Sequence, residues 1–296
     1  MRRESAALLF MCASAALIPV GDALAKEIAG VSDIPAGLVA FARFVIGSAI
    51  FLPIAFAAGQ RPLLTRRFLL AQLLRGICVT GAIFGMVTAV RHAPLADVFG
   101  AFFIAPAIAA GLAVLLLGET LARRDLLSLG LGLLGVLLVT RPGGAMNEGL
   151  LWALGSGCCY GAFNVATRWA APLGRPLGQL GGQLVVGAIF TAPFGLPEIG
   201  RVGEAPGLLF ATALASALAN LCLVMAYARE RAAVLAPLIY LQLISAAVIG
   251  WAGFGDLPDV YAALGLALIL FAGLGLRLIG RLKAGGPPAA LPPQGR

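Results

Sequence analysis

The chain has 296 residues, 60% of them hydrophobic and 11% charged, with 39 Gly, 18 Pro and a formal net charge of +8; its mean hydropathy is +0.98. A soluble domain is about a quarter charged, so too few charges are present to coat a water-facing surface. The basic excess lies in small groups between apolar runs rather than in one patch, which argues against nucleic acid as the partner and for lipid.

Apolar stretches of about 18 residues or more cross a hydrocarbon layer of about 30 Å as helices. Ten such spans are predicted in chain order: Ser5 to Ala25, Ala36 to Ala58, Leu69 to Val90, Pro94 to Leu117, Leu126 to Thr140, Leu150 to Trp169, Gly178 to Leu196, Leu208 to Ala228, Val234 to Phe254 and Tyr261 to Ile279. The fifth is the shortest. The runs are continuous rather than alternating, which excludes a transmembrane β-barrel. The expected class is an all-α polytopic membrane protein. The tail 284–296, rich in Gly and Pro, is expected to be a disordered cytoplasmic segment.

Cytoplasmic segments hold the excess of Lys and Arg in a helical membrane protein. With the N-terminus inside, 15 basic residues fall in inner segments, while Lys26, Arg91, Arg141 and Arg201 are the 4 in outer ones. Arg43 and Arg75 fall within spans. Both termini are therefore expected in the cytoplasm, and the location is a bacterial inner membrane. Arg2, Arg3, an apolar stretch and Ala23-Leu24-Ala25 imitate a cleavable signal peptide, but the first span has a counterpart later in the chain and is expected to be retained.

That counterpart belongs to an internal repeat. A shift of 142 pairs Ser14 with Ser156, Asp22 with Asn164 and Lys26 with Arg168; a shift of 140 pairs Arg43 with Gln183, Gly47 with Gly187 and Pro53 with Pro193. Arg91 pairs with Arg229 at 138, and Ala96, Gly118 and Glu119 pair with Ala233, Gly255 and Asp256 at 137. The predicted repeats are 1–141 and 142–283. Each holds five spans, and an odd number makes the second copy enter the membrane from the opposite side. Inverted repeats are an architecture of alternating-access transporters, with substrate bound near the midplane.

The stretch Ala93-Pro94-Leu95-Ala96-Asp97, the apolar run to Leu115-Leu116-Leu117-Gly118-Glu119, and Leu126 to Thr140 resemble the end of an EamA-type repeat. Arg231-Ala232-Ala233 through Gly255-Asp256 to Leu276 is similar to a degenerate second copy, with Asp256 in place of the Glu. Over residues 5 to 280 the chain resembles the ten-helix branch of the drug/metabolite transporter superfamily. The resemblance implies a 5+5 inverted bundle in which spans one to four and six to nine surround the pathway, and a bacterial exporter of amphipathic metabolites. Within the superfamily the chain is most similar to the YddG-like group, exporters of aromatic and other amino acids.

A charge inside a span is costly unless it meets a partner or water. Arg43 is the leading candidate for a substrate carboxylate; a buried pair with Asp22 or Asp97 accounts for it equally well. Arg75, near the inner end of its span, is expected to snorkel to the headgroups. Glu119, close to Arg123 and Arg124, reads as a cytoplasmic gate or cap contact, with Asp256 at the opposite face. Asp22 and Asp97, the carboxylates within spans, lie near outer ends and are candidate gate residues. That shortage favours facilitated diffusion or weak coupling over a proton-driven cycle. His92, the one histidine, sits at an outer boundary and reads as structural.

A pocket for an amphipathic ligand is mostly apolar with a few polar groups. Ser14, Thr80, Phe84, Thr88, Phe99, Phe102, Phe103, Tyr160, Phe163, Asn164, Asn220, Tyr240, Gln242 and Ser245 supply that mixture at mid-span. Pro19, Pro53 and Pro193 remove a backbone bond inside their spans. Pro106 and Pro237, in spans four and nine, are candidate hinges. Gly81 with Gly85, and Gly157 with Gly161, have the spacing of close helix contacts. The five cysteines, Cys12, Cys78, Cys158, Cys159 and Cys222, have neither a disulfide nor a zinc spacing. No cofactor and no metal are expected. The expected partners are a small-molecule substrate and membrane lipid, with the chain a monomer or weak homodimer.

Two other functions fit these residues less well. A proton-coupled exporter of cationic drugs would be expected to carry a glutamate in the first span, as small multidrug relatives do; here that helix reads Cys12-Ala13-Ser14-Ala15-Ala16. An intramembrane enzyme needs a positioned base or metal. Gly155-Ser156-Gly157 offers a serine, without a nucleophile elbow or a His-Glu-x-x-His set.

Overall fold

The computed structural model describes residues 3–62, 65–118, 123–141, 146–229 and 238–272. Glu119, Pro237, the tail 284–296 and the last part of the tenth span lie outside the described residues. Every described element is helical. Continuous apolar sequence dictates this, because a helix satisfies its own backbone groups where no water is available.

The α-helices are α1 (Arg3–Val31), α2 (Ala36–Ala57), α3 (Arg66–His92), α4 (Leu95–Phe102), α5 (Ala105–Leu117), α6 (Arg123–Thr140), α7 (Glu148–Ala170), α8 (Pro176–Gly195), α9 (Pro206–Tyr227), α10 (Leu241–Phe254) and α11 (Val260–Leu270). Short 3-10 turns follow α7 and α8. Among the described residues six segments, beginning at Ser5, Ala36, Arg66, Leu95, Pro176 and Pro206, are long and apolar enough to cross a membrane, and Leu126–Thr140, Leu241–Phe254 and Val260–Leu270 are shorter apolar helices. Each predicted span thus has helix within its described part. α1 runs on to Val31, past the predicted end at Ala25, because the polar Lys26 and Glu27 continue the helix above the apolar run.

The fourth span is not one helix. Between α4 and α5 the ladder tightens at Phe103 and Ile104, whose N–H groups bond the carbonyls of Phe99 and Ala101 at 3.1 and 3.2 Å, and Pro106 sits in the first turn of α5, where its missing N–H costs nothing. The disturbance is therefore a turn within one membrane-crossing segment. Helices α5 and α10 each end on a left-handed glycine, Gly118 at φ 64° and Gly255 at φ 68°, the two positions that the repeat pairs. After α10 the N–H of Gly255 bonds the Trp251 carbonyl and that of Asp256 the Gly250 carbonyl, both at 3.1 Å, closing the helix end.

α1 packs on α9 and α10, α3 on α7 and α8, α2 on α8 and α9, and α6 on α11. Glycines set these approaches. A Cβ on Gly187 would lie 2.3 Å from the Phe44 ring, and one on Gly157 would lie 2.4 Å from the Phe102 carbonyl oxygen. Gly81 faces Cys159, Gly85 faces Ser156 and Gly161 faces the Ala105 carbonyl, so both predicted glycine pairs sit at helix contacts.

Candidate functional site

Two arginines are sealed inside the bundle. Arg43 of α2 is 3% exposed. Its Nη1 donates to Asp22 Oδ1 on α1 at 2.7 Å, its Nη2 to the Gly21 carbonyl at 2.6 Å, and its Nε to Thr212 Oγ1 on α9 at 3.0 Å. The Thr212 hydroxyl also donates to the Gly21 carbonyl, at 2.7 Å. Of the two readings of Arg43, the structure contains the pair with Asp22. The charges cancel, and partners on α1 and α9 hold the guanidinium that α2 presents.

Arg75 of α3 corrects an expectation. It is 0% exposed and does not snorkel. Its Nε donates to Thr167 Oγ1 on α7 at 3.1 Å, its Nη1 to Gln72 Oε1 at 2.9 Å and to Gln179 Oε1 at 2.8 Å, and its Nη2 to Gln183 Oε1 on α8 at 2.6 Å. The Phe163 ring lies 5.6 Å from the guanidinium carbon. Four neutral side chains surround this charge, where Arg43 has a carboxylate. The reason is topological: α7 and α8 fold over the end of α3 and close off the route to the headgroups that the sequence position suggests.

The aromatic candidates form a connected chain. Phe163 is 5.9 Å from Tyr160, Tyr160 is 5.0 Å from Phe102, Phe102 is 6.2 Å from Phe103, and Phe103 stacks on Tyr240 at 5.1 Å. Phe99 joins at 6.0 Å from Phe102. These distances suit attractive ring pairs. Phe84 stands apart, against Trp152 and Phe194. The space beside Phe103, Pro106 and Tyr240 is about 10 Å³, room for no more than about one water, so the ring chain is closed in this conformation. A cleft of about 270 Å³ lies elsewhere, between α1 and α10, lined by Val20, Leu24, Glu27 and Phe254 among others.

Among the polar candidates, Ser14 Oγ, Thr80 Oγ1, Asn164 Oδ1 and Gln242 Oε1 are buried without a hydrogen-bond partner, as is Asp97 Oδ1. Native interiors rarely leave such atoms unpaired. Thr88 and Asn220 instead bond the carbonyls of Phe84 and Ser216 in their own helices. Ser245 is half-buried on α10.

A charged group gathers at one end. Lys26 of α1 pairs with Asp256 and sits 4.7 Å over the Phe254 ring. Arg141 pairs with Asp259 and lies 5.3 Å from the Tyr261 ring. Asp97 is within electrostatic reach of all four of these charges, which agrees with its placement near an end shared with Asp256. Asp259 caps α11 through the Ala262 N–H at 2.8 Å, and that bond with the Arg141 guanidinium holds its carboxyl below the usual carboxylate range.

Ser156 is no nucleophile in this arrangement: its Oγ donates to the Ala82 carbonyl at 2.6 Å, joining α7 to α3. His92 is exposed at the end of α3. All five cysteines are free and half-buried, and no three His, Cys, Asp or Glu side chains gather as metal ligands among the described residues.

Gln72, Gln179, Thr167, Thr212 and Gly21 were missed by the sequence reading. Their signal was available in the amides, since Gln72, Gln179 and Gln183 interrupt otherwise apolar spans. Gln179 is fully used as a brace, its Nε2 donating to the Ala170 carbonyl at 2.9 Å and the Gly174 carbonyl at 3.1 Å.

Comparison with known proteins bears on this arrangement. Residues 5–141 and 147–278 both match the EamA-like transporter family. The pseudopaline exporter CntI of Pseudomonas aeruginosa is 26% identical over 264 residues, covering 87% of this chain and 90% of that one. The riboflavin transporter of Rhizobium johnstonii is 29% identical over 174 residues, 54% of each chain. The S-adenosylmethionine uptake transporter of Rickettsia felis is 24% identical over 242 residues, covering 80% and 81%. A solved crystal structure superposes with a TM-score of 0.71 at 19% identity, covering 96% of this chain and 100% of the other, a likeness of fold.

Proposed function

The chain belongs to the EamA-like transporter family of the drug/metabolite transporter superfamily, and from that premise we propose that it exports small amphipathic metabolites, amino acids including aromatic ones, by alternating access. It is a multi-span membrane transporter and not an enzyme. In the reading we favour, the two matched segments are repeats 1–141 and 142–283 in inverted orientation, ten spans give both termini a cytoplasmic location, and a monomer or weak homodimer in the bacterial inner membrane carries the substrate at the midplane between the halves.

The observation that carries the proposal is the closed chain of rings from Phe163 to Tyr240, on the helices that also hold the partnerless oxygens of Asn164 and Gln242. An apolar body slides along rings while a few polar atoms orient it. The turn between α4 and α5, with Phe102 and Phe103 at its edge, provides a place for the chain of rings to open. Candidate contacts are Ser14, Thr80, Phe99, Phe103, Tyr160, Phe163, Asn164, Tyr240 and Gln242. Export as the direction draws support from the exporter that aligns over most of the chain.

Reconstitution into liposomes tests this. Saturable counterflow of phenylalanine and neutral amino acids without a pH gradient is the expected result. Transport confined to a quaternary-ammonium dye, and only under a gradient, would replace the reading with a proton-coupled drug exporter.

A further inference from the structure

Arg75 differs from Arg43 in one respect that geometry alone makes plain. Both are buried, yet Arg43 has the carboxylate of Asp22 while Arg75 has oxygens of Gln72, Gln179, Gln183 and Thr167. A guanidinium carries five N–H donors. Four are taken up by those oxygens, and one N–H on Nη2 has no acceptor. An amide that turns its oxygen to a guanidinium turns its NH2 away, so the bonds from Arg75 fix the orientation of both glutamines. The Nε2 atoms of Gln72 and Gln183 are then buried with no partner, in side chains 2% and 1% exposed. The Gln179 carbonyl, 3.3 Å from Nη1, is a further neutral acceptor; a positive charge with no carboxylate partner, one unmet N–H of its own and two unmet amide groups on its neighbours are thus buried together.

We infer that Arg75, Gln72 and Gln183 form a binding site for the carboxylate of the transported molecule. This rests on the transport reading above and names its substrate class: amphipathic carboxylic acids, with an apolar body seated toward Phe163, the first ring of the aromatic chain. A carboxylate is the complement of this cluster, acceptor-only, with two oxygens and about four lone-pair sites, and charge-assisted bonds are the stronger kind. The site is closed in this conformation. Between α3 and α8, Gly76 faces Val186 and Gly182 faces the Gln72 side chain at close range, so a ligand reaches the cluster from this side only when the two helices separate.

A matched pair of probes isolates the carboxylate: 3-phenylpropionate and its neutral isostere 3-phenylpropionamide, with binding to the purified protein read by competition and by thermal stabilisation. The wild type is expected to prefer the acid at least tenfold. Gln72→Glu, and independently Gln183→Glu, places an internal carboxylate against Arg75; each is expected to melt no lower than the wild type and to lose the preference for the acid. Equal binding of acid and amide by the wild type overturns the site. So does a preference that survives in the folded variants, or destabilisation by both glutamates, which would mean that Arg75 lacks no counter-charge. Flux in proteoliposomes is measured separately. Acid-selective binding without flux sinks the transport reading alone, whereas flux without acid selectivity sinks this site alone.

Discussion

The Arg43 guanidinium lies 2.7 Å from the Asp22 carboxylate, with the two side chains 3% and 4% exposed. Breaking a buried pair by removing one partner costs about 3 to 5 kcal/mol, because the remaining charge is stranded. Arg43→Gln is thus expected to destabilise the protein, not merely to weaken transport. Asp22→Asn with Arg43→Gln is expected to recover more than half of the loss, since amides can share the hydrogen bonds to Gly21 and Thr212. Unfolding of the detergent-solubilised variants in a double-mutant cycle measures this. Strictly additive losses would show that the two side chains do not act as a unit.

Asp22 was legible in the sequence as a partner for Arg43 because so few carboxylates fall inside spans. Arg75 was not legible in the same way. Its environment is made by Thr167, Gln179 and Gln183, which lie 92 to 108 residues further on, and distance along one helix says nothing about which helices cover its end. The helices themselves were legible from apolar length, which is local; the caps Thr65, Asn147 and Asp259, equally local, went unread. The turn at Phe103 was half legible: Pro106 announced a disturbance, while the close approach of the Phe102 carbonyl to Gly157 of α7 depends on a helix some fifty residues further on.

That last contact makes a specific prediction. A methyl group on Gly157 would meet the Phe102 carbonyl oxygen at 2.4 Å and the Ile104 side chain at 2.7 Å, whereas one on Gly155 meets nothing within 4 Å. Overpacking of this kind costs about 1 to 3 kcal/mol. Gly157→Ala is expected to lower both the thermal midpoint and the flux by displacing the α4–α5 turn. Gly155→Ala, on the same helix, is expected to change neither, and a loss of equal size there would trace the effect to helix propensity or the lipid face instead.

The pairing of Lys26 with Asp256 fastens the end of α1 to the end of α10. If alternating access separates these helices during transport, fixing them together stops the cycle. In a background with all five native cysteines replaced, Lys26→Cys with Asp256→Cys should cross-link under oxidation and lose at least tenfold in flux, with recovery on reduction. A fully cross-linked protein that still transports at the reduced rate would place the moving parts elsewhere.

Asp259 gives a pH dependence with a definite sign. Its carboxylate accepts the Ala262 N–H at 2.8 Å and pairs with Arg141, both of which favour the charged form, so its folded pKa is depressed. A depressed carboxylate contributes stability that is present above its unfolded pKa and is lost as pH falls through the folded value. The protection factors of Ala262 and Ala263, in the first turn of α11, taken relative to intrinsic exchange because that chemistry itself slows in acid, are therefore expected to fall as pH drops from about 4, where an unperturbed aspartate is half protonated, through the lower folded value. Asp259→Ala should show low protection at every pH, since the cap is absent throughout. Wild-type protection that stays flat from neutral pH down to about pH 2 would show that the Arg141 carboxylate pair and the cap do not hold this turn.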